Sequence, residues 1–525
     1  MDKNLLLAVT LSLGVYALWF GVIEKRIAPP PPHMAYSPNA PTPGQPASAS
    51  QPSMSGQPSR PGQPYEPAVD KETVLKDAES VTFGKSSALV SPHGAAIVSW
   101  RDPEPLGVVE LVEDPRPGFF STFPDLTFKR DEKALGVVYK AKRKDGAIIT
   151  KEFLPEGPAS LPRLRVTITN PSSKEIVSGP WTLSMGPGLG TIETEQKENV
   201  KVWRAIGLTA PEGGLEGKVD AFKPGDHVGN YRWLGVDNRY FLAAVLPASG
   251  DFDRVESALP PLVTLTAKSS AIPAQGSRSW EIPYYIGAKG HNWLSHYNVG
   301  LERAINFGFF AWLGRHVLQV LNRLHTVTGN WGWSIIILTV LIQIALFPFT
   351  FQSLKSMAKM RRLQPEIARL QQRYAKDQAK LSAETMELYK KNGANPLGGC
   401  LPMVVQMPVF YALYNALRSA WELHGAVWIF WIKDLSAKDP YYVLPLVMGG
   451  IMFVQNKLNA QQTADPAQAQ MMTFMPVIFT FMFLKFPAGL VLYWLTNSLA
   501  STTQQLVLRK YLDQGAAESA GPARR

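Results

Sequence analysis

The stretch WGWSIIILTVLIQIALFPFTF, residues 331–351, carries no ionisable side chain from end to end. A helix needs about 20 predominantly apolar residues to cross a hydrocarbon core of roughly 30 Å, so the stretch reads as a membrane span. The next segment is opposite in character. Residues 353–395 hold ten basic side chains (Lys355, Lys359, Arg361, Arg362, Arg369, Arg373, Lys376, Lys380, Lys390, Lys391) against Glu366, Asp377, Glu384 and Glu387. An excess of Lys and Arg beside a span marks the cytoplasmic side. The mean hydropathy of the whole chain, -0.06, averages over this contrast.

Working outward, further predominantly apolar stretches are Leu401–Leu423, Tyr442–Leu458, Met472–Phe486, short at 15 residues, and Ala488–Tyr511 towards the C-terminus, and Leu5–Ile23 near the N-terminus. That makes six expected spans. Leu5–Ile23 ends in Glu24-Lys25-Arg26 and prolines, without the small-residue cleavage site of a signal peptide, and is read as an uncleaved anchor. The tight turn Phe486-Pro487-Ala488-Gly489 makes a hairpin of the last two spans. The expected layout is an anchor (1–27), a Pro-rich linker (28–70) and a β-domain (71–287). An amphipathic interfacial helix (288–328) and a second transmembrane helix (329–352) come next, then a basic helical hairpin (353–398) and a third transmembrane helix (399–423). An outer loop (424–441), three further transmembrane helices (442–460, 471–487, 488–511) and a tail (512–525) complete it. With the hairpin inside, both termini are cytoplasmic and the β-domain is outside; Arg509, Lys510, Arg524 and Arg525 agree, whereas Lys25 and Arg26 do not.

The linker holds 13 prolines between Ala28 and Pro67 with many Ser, Gly and Gln, a composition that favours extended, solvated chain. From Lys71 to Gly287 short apolar bursts alternate at period two between turn residues, among them Val137–Lys142, Leu164–Thr169, Phe241–Leu246, Leu262–Ala267 and Trp280–Ile286. This predicts an all-β sandwich. At Gly290 the period changes: Trp293, Tyr297, Leu301, Ile305, Phe309 and Leu313 recur at helical spacing up to His325, with Glu302, Arg303 and Asn306 interleaved, and the position just before a span favours a membrane interface. In the basic hairpin, Met357, Met360, Leu363, Ile367, Leu370 and Tyr374 share one face, followed by Leu381, Met386, Leu388 and Tyr389, so two short antiparallel helices are expected. Such a hairpin suits anionic lipid, a ribosome or an incoming polypeptide; a solvated connector is the plain alternative.

Polar side chains inside a bilayer are costly and usually face a bundle interior or a watery cavity. In Leu401–Leu423, Tyr411, Asn415, Arg418 and Glu422 share a face; Thr339 and Gln343 do so in residues 331–351, and Tyr493, Asn497, Ser501 and Gln504 in the last span. Three polar stripes could line one groove. Arg418 is read as a groove charge, against the alternative that it pairs with Glu422 and snorkels outward.

Other chemistry finds little support. A single cysteine, Cys400, excludes an intramolecular disulfide and cysteine metal clusters, and no metal or cofactor is expected. The +11 charge accompanies apolar segments, which points to topology and not to nucleic acid. His93, Asp226 and His227 lack catalytic spacing, Gly398-Gly399 lacks the lysine of a phosphate loop, and the inverted repeats of a solute transporter are not seen.

The motifs Trp331-Gly332-Trp333-Ser334-Ile335-Ile336, Ser356-Met357-Ala358-Lys359-Met360, Asn395-Pro396-Leu397-Gly398-Gly399-Cys400, Gln406-Met407-Pro408, Asp434-Leu435-Ser436, Asp439-Pro440-Tyr441-Tyr442, Met475-Pro476-Val477-Ile478-Phe479 and Phe486-Pro487-Ala488-Gly489-Leu490 occur in order over roughly the last 200 residues. They resemble the YidC insertase family with its mitochondrial Oxa and chloroplast Alb relatives; the anchor, linker and β-domain resemble its Gram-negative form. The resemblance implies a polytopic α-helical membrane protein of the inner membrane, with a five-helix insertase core around a hydrophilic groove and a periplasmic β-supersandwich. It also implies a non-enzymatic insertase and chaperone for nascent membrane proteins, working alone and with the Sec translocon, with ribosome or targeting factors as further partners. The groove residues expected from the polar stripes are Thr339, Gln343, Tyr411, Asn415, Arg418, Tyr493, Asn497 and Ser501, and the hairpin contacts expected from the basic cluster are Lys359, Arg361, Arg362, Arg369 and Arg373. Where family members usually carry a groove arginine this chain has Gln343, and Arg418 is read as the relocated charge.

Overall fold

In the strand Ile148–Leu154 of the computed structural model, every second side chain is buried, and Arg163–Thr169 beside it repeats the pattern. The structure describes residues 70–134, 136–157, 160–209, 217–375, 377–394, 401–460 and 466–519. The expected anchor, nearly all of the linker and the Asn395–Cys400 motif lie outside these residues. Two compact units divide the described chain, one ending at Ile305 and the other starting at Asn306.

The first unit is β-structure. Its largest sheet has nine antiparallel strands, in the order Lys218–Ala221, Arg204–Thr209, Tyr231–Asp237, Phe241–Val245, Ser277–Ala288, Arg163–Thr169, Ile148–Leu154, Val137–Lys142 and Lys129–Arg130. One four-stranded sheet is made by Glu79–Phe83, Ser86–Ser91, Ala96–Glu104 and Gly107–Glu110. A second is made by Thr182–Met185, Leu262–Ala267, Phe252–Ala258 and Gly225–His227. Aromatic side chains fill the interior: Trp233, Trp280, Tyr139, Tyr284, Phe119 and Phe120 are all below 2% exposure. Phe120 lies 4.7 Å from Tyr284 and Trp181 lies 5.4 Å from Trp280, centroid to centroid. Burying such rings supplies much of the hydrophobic stabilisation of a sandwich.

The unit does not stop at Gly287, and the helix expected from Gly290 to His325 is not continuous. It divides into α3 (His291–His296), a 3₁₀ turn at Leu301–Ala304 and α4 (Ala311–Thr328), where α1 is Lys71–Lys76 and α2 is Gln196–Val202. Gly300 and Gly308 have left-handed backbone, φ +81° and +69°, and interrupt the helix between those pieces. Leu294, Leu301 and Ala304 are drawn into the β-domain core with Ile206, Leu208 and Trp233, while Trp233 Nε1 donates to Gly300 O at 3.1 Å. The helical spacing of Trp293 to Leu313 therefore spans elements of two units.

The second unit is helical: α5 (Trp331–Arg373), α6 (Gln378–Lys391), α7 (Leu401–Ser419), α8 (Val443–Ala460), α9 (Pro466–Phe483) and α10 (Ala488–Ser519) come after α4. Asn330 caps α5, its side chain accepting from the backbone N–H of Gly332 and Trp333. A break was expected near residue 352. Instead α5 runs unbroken for 43 residues through Pro348 and Pro365, because the chain between the prolines holds no other breaker. α7 ends four residues before the expected Leu423, at Ser419, where Ala420 turns extended. α10 packs along α5, α8 packs on α9 and α10, and α4 packs on α5 and α7.

Among the described residues one helix, α5, is long and apolar enough to cross a membrane, with shorter apolar helices at Val443–Lys457 and Phe474–Phe483. Outside the basic hairpin, the helices of this unit carry apolar side chains on their outer faces. Ile344 on α5, Leu446 on α8, Ile478 and Phe481 on α9 and Val507 on α10 are each more than 60% exposed, while Ser334, Thr339, Gln343, Ser498 and Thr502 are buried. In water the exposed apolar faces would cost free energy; in a bilayer they meet lipid, while the buried polar groups find partners inside the unit.

Candidate substrate groove

Gln343 is 5% exposed, on the inner face of α5. Its Nε2 donates to Asn497 Oδ1 and, at 3.4 Å, to Ser501 Oγ, both on α10. Asn497 and Ser501 are four residues apart, so they stack one turn above the other and both meet α5. From α7, Gln406 Nε2 donates to Tyr493 Oη at 2.6 Å. These bonds border a cavity of about 150 Å³ lined by Gln343, Leu346, Phe349, Thr350, Val405, Gln406, Asn497 and Ser501. Such a space has room for several waters.

Of the eight residues singled out from the sequence, three line this cavity: Gln343, Asn497 and Ser501. Tyr493 is 1% exposed and touches it only through Gln406. Thr339 is buried with its hydroxyl donating to Ile335 O at 2.7 Å, so it is spent on its own helix. Tyr411 and Asn415 sit elsewhere: Asn415 Nδ2 donates to Tyr411 O, and the Tyr411 ring lies 5.9 Å from Phe310. A Cβ on Gly308 would meet both side chains.

Arg418 lies apart from this cavity. It is exposed, donates to Tyr414 Oη at 3.1 Å and lies over that ring at 5.7 Å. It is absent from the cavity lining, and 12 residues separate it from Gln406, about 18 Å along the helix. Its guanidinium is therefore not part of this cavity's lining. Tyr411, Asn415 and Arg418 share a face of α7 that this cavity does not use. Gln406, which sequence reasoning left without a role, is five residues before Tyr411 and therefore about 140° around the helix. Its position in the Gln406-Met407-Pro408 motif was the signal that could have found it.

On the hairpin, Lys359, Arg362, Arg369 and Arg373 are exposed and Arg361 is half-buried. Lys359 Nζ donates to Gly393 O at 3.1 Å, tying α5 to the end of α6. In the β-domain, Asp226 pairs with Arg254 at 2.8 Å and His227 stacks on Phe222 at 4.6 Å.

A helical unit with apolar outer faces and a hydrogen-bonding cavity, in one chain with a β-sandwich, defines the class of helical membrane proteins that carry an appended β-domain. Residues 323–515 match the family described as 60Kd inner membrane protein, and residues 108–320 match the YidC periplasmic domain. The membrane protein insertase YidC of Endomicrobium trichonymphae is 39% identical over 443 residues, covering 81% of this chain and 83% of that one. For the insertase YidC of Stutzerimonas stutzeri the identity is 41% over 288 residues, and the match spans about half of each chain, 54% and 52%. A solved structure of an active YidC insertase with its first transmembrane domain resolved is 18% identical, covers 82% of this chain and 92% of that one, and has a TM-score of 0.40. A galactose mutarotase-like protein from Lactobacillus casei covers 40% of this chain and 100% of its own, at 8% identity and a TM-score of 0.27. By its sequence match the chain belongs to the YidC family of membrane protein insertases.

Proposed function

We propose that this chain inserts membrane proteins by receiving a nascent segment in the cavity between α5, α7 and α10 and releasing its apolar part sideways into lipid. It acts without enzymatic chemistry, as insertase and chaperone. The observation that carries this reading is the Gln343, Asn497 and Ser501 cluster beside a cavity in a unit whose helices, outside the basic hairpin, carry apolar side chains on their outer faces. A polar flank that enters exchanges water for amide and hydroxyl partners, which removes much of the cost of meeting hydrocarbon.

The fuller reading has six spans, a five-helix core, both termini cytoplasmic and the β-domain periplasmic in an inner membrane. It is supported by the ten basic residues of the hairpin and the apolar faces of α7 to α10. The exposed basic residues of α5 and α6 suit anionic lipid and a ribosome or targeting factor, and the Sec translocon is the partner expected for clients that need both routes.

The test is insertion of a single-span client with a short uncharged tail into liposomes containing the purified protein. Gln343→Leu is expected to cut insertion about tenfold, because buried polar groups lose their partner. Arg418→Ala, an exposed side chain, should stay within about twofold of wild type. Normal insertion by Gln343→Leu, with unchanged melting, would place the substrate path elsewhere.

A further inference from the structure

The three walls of the cavity carry no formal charge over most of their length. No Lys, Arg, Asp, Glu or His occurs from Trp331 to Leu354 on α5, from Leu401 to Leu417 on α7, or from Ala488 to Leu508 on α10. Lys355, the first charge on α5 after the lining residue Thr350, is exposed and about 8 Å further along the axis. The polar groups that are present are amides and hydroxyls. Each amide has two donor hydrogens and two acceptor lone pairs, so Gln343, Gln406 and Asn497 retain capacity beyond the bonds they make.

We infer that the cavity selects client flanks that are uncharged hydrogen-bonders, rich in Asn, Gln, Ser, Thr and bare backbone, over acidic or basic ones. The inference rests on the proposed groove and adds the substrate class. A carboxylate or ammonium entering this space gives up hydration and meets no counter-charge on the three lining helices, whereas an amide or hydroxyl exchanges water for groups of its own kind. With no charge to screen, recognition is insensitive to ionic strength, unlike recognition by a cationic site.

The experiment uses the full chain in liposomes without a membrane potential and a single-span client whose short N-terminal tail carries Asn at two positions, or Asp, or Lys. The quantity read is protein-dependent insertion, after subtracting protein-free liposomes, at low and high salt. The Asn tail is expected to insert on the order of tenfold faster than either charged tail, with little salt dependence. Gln343→Arg is expected to shift the preference towards the Asp tail and to bring in salt sensitivity. An Asp tail that wild type inserts as fast as the Asn tail overturns the inference and leaves the proposed groove standing. Insertion of every tail at one rate by wild type and Gln343→Leu overturns both.

Discussion

Lys151 occupies an inward-facing position of the strand Ile148–Leu154, where alternation calls for an apolar side chain, and it is fully buried. Its ammonium donates to Gly94 O, Ala95 O and Phe120 O at 2.9, 2.6 and 2.5 Å, so all three protons are used. Burial holds it well below the usual lysine range. Lys151→Met keeps the stem but strands three buried carbonyls, and should lower β-domain stability by about 2–4 kcal/mol; tryptophan fluorescence during denaturation measures this. A loss too small to detect would mean that water takes over the three bonds. Glu104 is a second buried ionisable group that the sequence did not flag. Its side chain is 5% exposed, and burial, followed by the neighbouring Asp102 carboxylate, lifts it from 4.5 to about 8, against the pull of Lys85. A carboxyl whose folded value is raised binds its proton more tightly in the folded state. Its contribution is fully present below 4.5 and is lost as pH rises through about 8. Stability of the β-domain should therefore fall over that window, and Glu104→Gln should flatten the fall. An unchanged pH profile in Glu104→Gln would assign the dependence to other groups. At this scale, residue type was legible and partner was not: Lys151 is one of many lysines until the fold closes around it.

Element boundaries track local chemistry where that chemistry is strong. Val137–Lys142 and Leu262–Ala267 are strands with the limits that alternation predicts. Boundaries moved where tertiary contacts outweighed a pattern, as at Leu301, which the Trp233 region captures, and at residue 352, where no breaker separates span from hairpin. The hairpin itself is held by a small cluster, Leu363, Ile367 and Ala394 with Met360, Leu388 and Tyr389 around them. A cluster of that size gives little protection, so α6 should open well before the bundle does. Ile367→Asp buries a charge in the cluster. It should release α6 from α5, seen as protease cleavage around residues 374–394 at concentrations that spare wild type. Equal cleavage of both would show that α6 is not held by these contacts. If the hairpin captures clients, the same variant should slow insertion without affecting the β-domain.

For the whole molecule, the proposed topology puts the β-domain and the hairpin on opposite sides of a membrane. With Cys400→Ser as background, Lys218→Cys in the β-domain and Met386→Cys on α6 offer two exposed probes. A membrane-impermeant thiol reagent should label the first in intact spheroplasts and the second only after the membrane is opened. Labelling of both from one side would contradict the proposed orientation. From the sequence by itself came the apolar segments, the alternating strands, the basic hairpin and the motifs of the insertase family, because hydropathy, periodicity and motif order are properties of neighbouring residues. Only the tertiary structure decided which polar faces meet. It joined Gln343 to Asn497 and Ser501, brought in Gln406, and left Tyr411, Asn415 and Arg418 outside. The rotation and depth of each helix are set by close contacts far apart in the chain, such as Gly332 against Trp428 and Gly449 against Thr480. No spacing within a single helix carries that information.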